Sequence, residues 1–277
     1  MRKDDQASPT SLVDERLARI LTSRKYRSVQ LPSETLTDLV EQASQSRAAP
    51  KEIEKLVRQK LHNIVAPYLG DPDYSLMQEK FAGLPRDLQS PQVRQLCLEV
   101  LQAHASTAER IPFLTEFYQK LFAFTGQPRR ILDVACGLNP FSLPWMKLEN
   151  GVEYLAYDLH HPRVMAISAF FSHVGHNGRS VHQDILVTPP SEEADVVFFF
   201  KEAHRFEQRQ RGCCREFFKA LNTRFLLVSL PTESLSGRHP KVDQDRRLID
   251  ESIKGQNWQV DEILFPNEIV FCIKKAA

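Results

Sequence analysis

The chain has 277 residues, of which 42% are hydrophobic, and this composition excludes a protein that is disordered throughout because it can supply a buried core. Its 36 Lys and Arg residues are balanced by 35 Asp and Glu residues, so the net charge alone does not indicate a polyanionic partner. There is no uncharged apolar run of about 18 residues and no apolar stretch close to Met1, so we expect a cytoplasmic protein without a membrane span.

The charges are segregated along the chain. Residues 131–195 carry 3 basic and 8 acidic side chains, whereas residues 1–70 carry 12 and 9 and residues 196–277 carry 14 and 11. An acidic centre suits a cationic or hydroxyl-rich small ligand, and basic flanks suit a partner that bears phosphates. Solvated helix faces would explain each local excess equally well, so charge leaves both interpretations open.

The first 125 or so residues predict helices, because apolar residues recur three and four positions apart and strand-like runs are absent. Two helices are expected to start at Ser33 and at Pro50, and two more to span residues 93–105 and 107–124, before Gly126. We predict an all-helical N-terminal domain at residues 1–105 and a second domain at residues 106–277. Breaks between the short helices are expected near Pro32, Pro50, Pro72 and Pro85.

From Arg130 onward, short apolar runs alternate with amphipathic stretches, which predicts an α/β fold with a parallel, doubly wound sheet. The last two runs are joined by only residues 265–268, and so short a link requires an antiparallel hairpin at the sheet edge. The prediction is therefore a Rossmann-like, mixed seven-stranded sheet. The seven runs are residues 131–135, 154–158, 180–184, 196–200, 225–230, 259–264 and 269–274.

Three predicted strand ends carry residues that suit a nucleoside ligand. Gly137 follows the first strand and allows close approach of the backbone, but the turn lacks the GxGxxG of a dinucleotide site. Asp158 ends the second strand, where it can accept hydrogen bonds from ribose hydroxyls. Asp184 ends the third, where it can accept from an exocyclic amine while Ile185 packs on a purine. Taken singly, each aspartate could be a turn or helix cap. The strand-end glycine and the two strand-end acids together predict an S-adenosylmethionine (SAM) pocket of a class I methyltransferase.

The cysteines form neither a CxxC pair nor a Cys/His spacing typical of zinc sites, so we expect reduced thiols and no metal. Cys213 and Cys214 fall in a predicted helix between the fourth and fifth strands, which argues against a cysteine nucleophile for cytosine C5 chemistry. At the end of the fourth strand the sequence is Phe199-Phe200-Lys201-Glu202. Enzymes that methylate exocyclic amines usually have an Asn/Asp-Pro-Pro-aromatic run at this point, and this sequence lacks it.

Three segments resemble the aminoglycoside-resistance 16S rRNA methyltransferases, which methylate guanine 1405 at N7. They are HASTAER at residues 104–110, ACGLNPFSLPWM at residues 135–146 and SLPTESLSGR at residues 229–238, and the likeness covers nearly the whole chain. The resemblance implies SAM as cofactor, 16S rRNA of the 30S subunit as partner with no obligate protein partner, and a helical RNA-binding domain. Glu233 departs from the family pattern, in which a basic residue is expected in that loop.

The resemblance implies that Arg110 binds the SAM carboxylate and that Lys201 and Glu202 act at the catalytic centre. From the residues alone, Arg110 could instead pair with Glu109 or Glu116 on a helix surface. The full predicted cofactor set is His104, Arg110, Ala135, Gly137, Asp158, Asp184, Ile185 and Phe200.

Basic residues at helical spacing predict an RNA-docking surface that follows phosphates, although a solvated helix face is the ordinary alternative. Two further functions stay open: a small-molecule methyltransferase whose helical part is a lid, and a catalytically silent RNA-binding protein with a SAM-binding fold. The basic flanks favour RNA over a lid, and the intact acidic and glycine positions favour an active enzyme. The predicted RNA-binding residues are Arg24, Lys25, Lys51, Lys55, Arg58 and Arg238.

Overall fold

A computed structural model of the chain describes residues 28–45, 49–66, 71–232 and 242–276. The predicted RNA-binding residues Arg24, Lys25 and Arg238, and Glu233 in the same loop as Arg238, lie outside these ranges. Among the described helices, none combines the length and the hydropathy needed to cross a bilayer.

Contacts divide the chain into two compact units, residues 1–70 with 160–162 and residues 71–159 with 163–277. The described part of the smaller unit contains α1 (Ser33–Ser44) and α2 (Pro50–Val65), which begin at the residues predicted from the sequence. Apolar residues at helical spacing on α1 and α2 form one small core that includes Leu39, Val57 and Leu61.

The division at residue 70 falls earlier in the chain than the boundary predicted after residue 105. The helices α3 (Tyr74–Ala82) and α4 (Pro91–Gln102) belong to the larger unit. Phe81 of α3 and Val100 of α4 are buried in the same core cluster as Ile131 and Phe198 of the sheet. Burial against the sheet, which helical periodicity does not reveal, assigns these two helices to the larger unit.

The helix predicted over residues 107–124 is wrong as a single element. The chain instead forms a short α5 (Ala105–Ala108), a 3₁₀ turn (Ile111–Phe113) and then α6 (Leu114–Thr125). Pro112 lies in the 3₁₀ turn and has no N–H to continue an α-helical ladder. The break leaves Arg110 between two helices rather than on the surface of one.

The larger unit contains a seven-stranded sheet of order β3-β2-β1-β4-β5-β7-β6. The first five strands in the chain are parallel, and β7 is antiparallel to both β5 and β6, as the short link at residues 265–268 predicts. The strands are β1 (Arg130–Val134), β2 (Glu153–Asp158), β3 (Gly178–His182), β4 (Ala194–Phe200), β5 (Thr223–Pro231), β6 (Gln259–Leu264) and β7 (Glu268–Lys274).

Helices cover both faces of the sheet. Alternate residues of β4 enter different cores, because Phe198 packs with the cluster that contains α3, α4 and α6, whereas Phe199 packs with Phe217 on the other face. Glu207 accepts the backbone N–H groups of Gly212 and Cys214 at the start of the helix Cys213–Ala220. The remaining helices are α7 (Leu143–Met146), α8 (His161–His173), α9 (Ala203–Arg209), α10 (Cys213–Ala220) and α11 (Val242–Ile253).

Candidate cofactor site and its charged network

The carboxyl ends of β1, β2 and β4 meet at one edge of the sheet because these strands are parallel neighbours. Two residues other than glycine have left-handed backbone there: Ala135 after β1 has φ of +52°, and Lys201 after β4 has φ of +60°. Gly137 follows with φ of +55°. Left-handed backbone is unfavourable for residues with a side chain and is concentrated at functional sites. This edge of the sheet is therefore the candidate functional site.

Asp158 lies at the end of β2 with 4% of its surface exposed. Its Oδ2 accepts the Gly137 backbone N–H at 3.0 Å and the Arg163 Nη1–H at 3.0 Å. A carboxylate can accept from several donors at once, and the end of the second strand is where sheets of this kind hold a nucleoside, so Asp158 suits ribose hydroxyls. The structure thus brings together Gly137 and Asp158, as predicted, and adds Arg163, which the sequence analysis missed.

Arg163 is itself held on three sides. Its Nη2 donates to both oxygens of Asp71, at 2.8 Å and 2.7 Å, and its Nε donates to the hydroxyl of Tyr74 at 2.8 Å. The Tyr74 hydroxyl in turn donates to Asp71. Because Arg163 is only 3% exposed, its charge is balanced by these neighbours and by Asp158 rather than by water.

Arg110 is buried at the same edge, with 2% of its surface exposed, so the alternative of a surface pair with Glu109 or Glu116 is wrong. Its Nε donates to Glu268 Oε2 at 3.1 Å, its Nη2 donates to Glu268 Oε1, and its Nη1 donates to Asn139 Oδ1 at 2.9 Å. The guanidinium carbon lies 4.7 Å from the ring centre of Phe200. The fully buried Glu268 opens β7, and its pairing with Arg110 was not foreseen from the sequence.

Glu268 is flanked by two cations. Burial by itself would raise the pKa of its carboxyl, but the charges of Arg110 and Lys201 outweigh that effect and lower the pKa below the usual value. Lys201 Nζ lies 3.6 Å from Glu268 Oε2 and donates to Glu109 Oε2 at 2.7 Å. Glu268 therefore stays ionised although it is completely buried.

Asn139 connects this cluster to Asp133. Its Nδ2 donates to Asp133 Oδ2 at 2.9 Å, and the Tyr154 hydroxyl donates to the same oxygen at 2.6 Å. The other oxygen, Oδ1 of Asp133, is buried and has no hydrogen-bond partner within the described residues. Burial raises the pKa of Asp133 to about 7. A buried carboxylate oxygen to which the described residues supply no donor can accept a hydrogen bond from a ligand.

Arg110 has complementary spare capacity. Three of the five N–H groups of its guanidinium are donated to Glu268 and Asn139, which leaves one on each Nη without an acceptor in the part of the chain that the structure describes. Spare donors on Arg110 and the spare acceptor on Asp133 suit the carboxylate and the ammonium of a free α-amino acid. With the ribose acceptor Asp158 nearby on β2, these residues fit a ligand that joins an amino acid to a nucleoside, as SAM does.

The predicted adenine residues follow β3. Asp184 and Ile185 are buried, with exposures of 1% and 4%. Asp184 Oδ2 accepts Arg209 Nη1 at 2.7 Å, and Oδ1 accepts the Leu186 backbone N–H at 3.2 Å. Arg209, at the end of α9, is a further residue that the sequence analysis did not identify.

The remaining predicted site residues have varied surroundings. Glu202 is partly buried, its Oε1 accepts Arg205 Nη1 at 3.1 Å, and burial raises its pKa to about 7. His104 precedes α5, and its Nδ1 lies 2.7 Å from Ser106 Oγ. Trp145, within the segment at residues 135–146, is buried with Arg94 stacked 4.8 Å from its ring centre, so it is a core residue.

The predicted RNA-binding residues within the described ranges lie on α2. Lys51, Lys55 and Arg58 are exposed and follow the spacing i, i+4, i+7, so they share one helix face. Arg58 pairs with Glu54 at 2.9 Å, which leaves Lys51 and Lys55 as the more accessible cations of this face.

Comparison with known proteins agrees with the geometry. Two similar curated proteins are the 16S rRNA (guanine(1405)-N(7))-methyltransferases of Proteus mirabilis, 27% identical over 95% of this chain and 97% of that protein, and of Serratia marcescens, 29% identical over 95% and 98%. A crystal structure of the 16S rRNA methyltransferase RmtF in complex with S-adenosyl-L-homocysteine is 27% identical, with a TM-score of 0.75 over 95% of this chain and 98% of RmtF. The family described as ribosomal RNA methyltransferase (FmrO) matches residues 22–272. The chain therefore belongs to the FmrO family of ribosomal RNA methyltransferases.

Proposed function

We propose that this protein transfers a methyl group from SAM to N7 of guanine 1405 in the 16S rRNA of the 30S subunit, and so protects the ribosome from aminoglycosides. The observation that carries the proposal is the set of three complementary groups at the sheet edge: spare donors on Arg110, a spare acceptor on Asp133 and the ribose acceptor Asp158. The choice of nucleotide is supported by the names of relatives that match nearly the whole chain.

In this proposal SAM supplies a methyl group activated by its positively charged sulfur. Arg110 binds the carboxylate and Asp133 the ammonium of its methionine part, while Asp158 accepts from the ribose and Asp184 with Ile185 holds the adenine. Binding of an ammonium beside Asp133 stabilises the ionised carboxylate, so the pKa of about 7 in the free protein falls when the pocket is filled.

Guanine N7 needs no base, because its lone pair lies in the plane of the ring and carries no proton. The contribution of the protein is therefore to align N7, the methyl carbon and sulfur and to exclude water, which is worth up to about 7–11 kcal/mol at well-oriented sites. The positive charge begins on sulfur and ends on the methylated guanine. Glu202 follows Lys201 at the carboxyl end of β4, where its ionised carboxylate favours a cationic group without having to remove a proton.

The test is methyl transfer from labelled SAM to purified 30S subunits, followed by mass-spectrometric mapping of the modified nucleotide. We expect one 7-methylguanine at position 1405. Label at adenine 1408, or label only on small molecules, would overturn the proposal. Naked 16S rRNA, assayed in parallel, tests whether the assembled subunit is required.

A further inference from the structure

We propose that Glu268 is a positioning residue for the cofactor: it holds Arg110 so that the spare N–H groups of Arg110 receive the amino-acid carboxylate of SAM. Neither the motif segments nor the predicted site includes Glu268. The inference rests on the proposed function in one respect, namely that the ligand is SAM or its product S-adenosylhomocysteine.

The first argument is the geometry of the pair. Glu268 accepts from both Nε and Nη2 of Arg110, which is the side-on bidentate arrangement that fixes the plane of a guanidinium as well as its position. Phe117, 4.1 Å from the guanidinium carbon, and Phe200, 4.7 Å away, contact the same group through their rings. Rotation of the guanidinium away from this plane would break both hydrogen bonds to Glu268.

The second argument is which donors remain. With Nε and one Nη2–H used by Glu268 and one Nη1–H used by Asn139, the two spare N–H groups belong to the two Nη atoms. Both spare groups lie on the terminal nitrogens, away from Nε, where the oxygens of a ligand carboxylate can accept from them. Glu268 thus occupies one edge of the guanidinium and leaves the donors at the other end for the ligand.

The third argument is charge. Arg110 and Lys201 are both nearly buried, and Lys201 Nζ lies 3.6 Å from Glu268 Oε2. The carboxylate of the ligand would be the second carboxylate at Arg110, after that of Glu268. It can bind only if Glu268 does not fully neutralise the positive charge of the site. Lys201 adds a second positive charge beside Glu268, and its closer partner Glu109, at 2.7 Å, is 42% exposed and therefore screened by water. The one buried carboxylate thus does not neutralise both cations, and the cluster can still accept an anion.

The experiment compares two ligands that differ only in the amino-acid part. S-adenosylhomocysteine carries the carboxylate and the ammonium, whereas 5′-deoxy-5′-methylthioadenosine carries the same nucleoside and sulfur without either group. We expect Glu268→Gln in the full chain to weaken binding of S-adenosylhomocysteine by about 10-fold or more and that of methylthioadenosine by less than about 2-fold, measured by calorimetry or competition. In turnover, the KM for SAM should rise while the KM for 30S subunits stays unchanged.

A matched control breaks an ion pair elsewhere in the sheet. Glu153 at the start of β2 pairs with Arg130 at the opposite end of the strands. Glu153→Gln should leave the affinity for both ligands unchanged. If Glu268→Gln does not yield folded protein, Glu268→Asp keeps the charge but shortens the reach, and it should show a smaller loss with the same selectivity for the carboxylate-bearing ligand.

Equal losses for the two ligands would mean that Glu268 only maintains the pocket, and unchanged affinities would mean that Arg110 does not need it. Either result would overturn the proposal. A wild-type protein that bound neither ligand would instead overturn the proposed function, and the positioning role with it.

Discussion

A single carboxylate connects the nucleoside site to the rest of the charged network. Asp158 accepts from Gly137 and Arg163, and in the proposed function also from the ribose. We expect Asp158→Asn to weaken SAM binding by about 1–3 kcal/mol, or roughly 5- to 150-fold, because a buried hydrogen-bond acceptor is lost and Arg163 is left undercompensated. Calorimetric titration measures this, with Asp261→Asn on the exposed strand β6 as the control that should bind normally.

Asp133 makes the stability of the unliganded protein depend on pH. Burial raises its pKa from 3.8 to about 7, so the folded protein binds more protons than the unfolded chain between these values. By linkage, the stabilisation is fully present below about pH 4 and is lost as the pH rises through about 7. Denaturant titrations at pH 5.5 and pH 8 should show a lower free energy of unfolding at pH 8, by on the order of 2 kcal/mol.

Asp133→Asn removes the titrating group while an amide oxygen can still accept from Tyr154 and Asn139. This variant should therefore lose less stability between the two pH values than the wild type does. The same pH dependence in both proteins would assign the effect to another group, such as Glu202, whose pKa is also raised to about 7.

At the scale of elements, the exposed face of α2 is the candidate RNA-docking surface. Reversal of Lys51 and Lys55 to Glu should weaken 30S binding. It should also reduce the magnitude of the slope of log K against log salt concentration by about 1 to 2, because fewer phosphate contacts release fewer counterions. SAM affinity should not change, since the apolar residues of α2 that form its core remain.

The matched control reverses two exposed lysines of the larger unit, Lys219 and Lys254, each of which pairs with a nearby glutamate. Filter binding at two salt concentrations distinguishes the two variants. If both double variants bind 30S subunits as the wild type does, the α2 face is merely solvated and the docking hypothesis fails.

At the scale of the whole molecule, the expected phenotype is drug resistance. Expression in a susceptible bacterium should confer high resistance to gentamicin- and kanamycin-type drugs but not to neomycin or apramycin, as the family resemblance implies for methylation of guanine 1405. Inhibitory concentrations measure this, and Asp158→Asn should reduce the resistance in proportion to the lost cofactor binding. Equal resistance to apramycin would point to adenine 1408.

The sequence by itself determined the strand pattern and the residues that follow the strands. Every predicted strand run overlaps an observed strand, because a buried parallel strand needs an apolar run and the intervening helices need their own periodicity. Gly137 and Asp158 could be predicted as neighbours for the same reason: carboxyl ends of adjacent parallel strands always meet.

Only the tertiary structure decided the ionic partners. Arg110 and Glu268 are 158 residues apart. The only local feature that distinguishes Glu268 from an ordinary hairpin residue is its charge at the start of an apolar strand. Arg163 and Asp71 are 92 residues apart. Which charges meet depends on which elements the fold places side by side, and a buried charge is tolerated only where the fold delivers its counter-charge. Local periodicity fixes the elements, but the compensation of buried charge is a property of their packing.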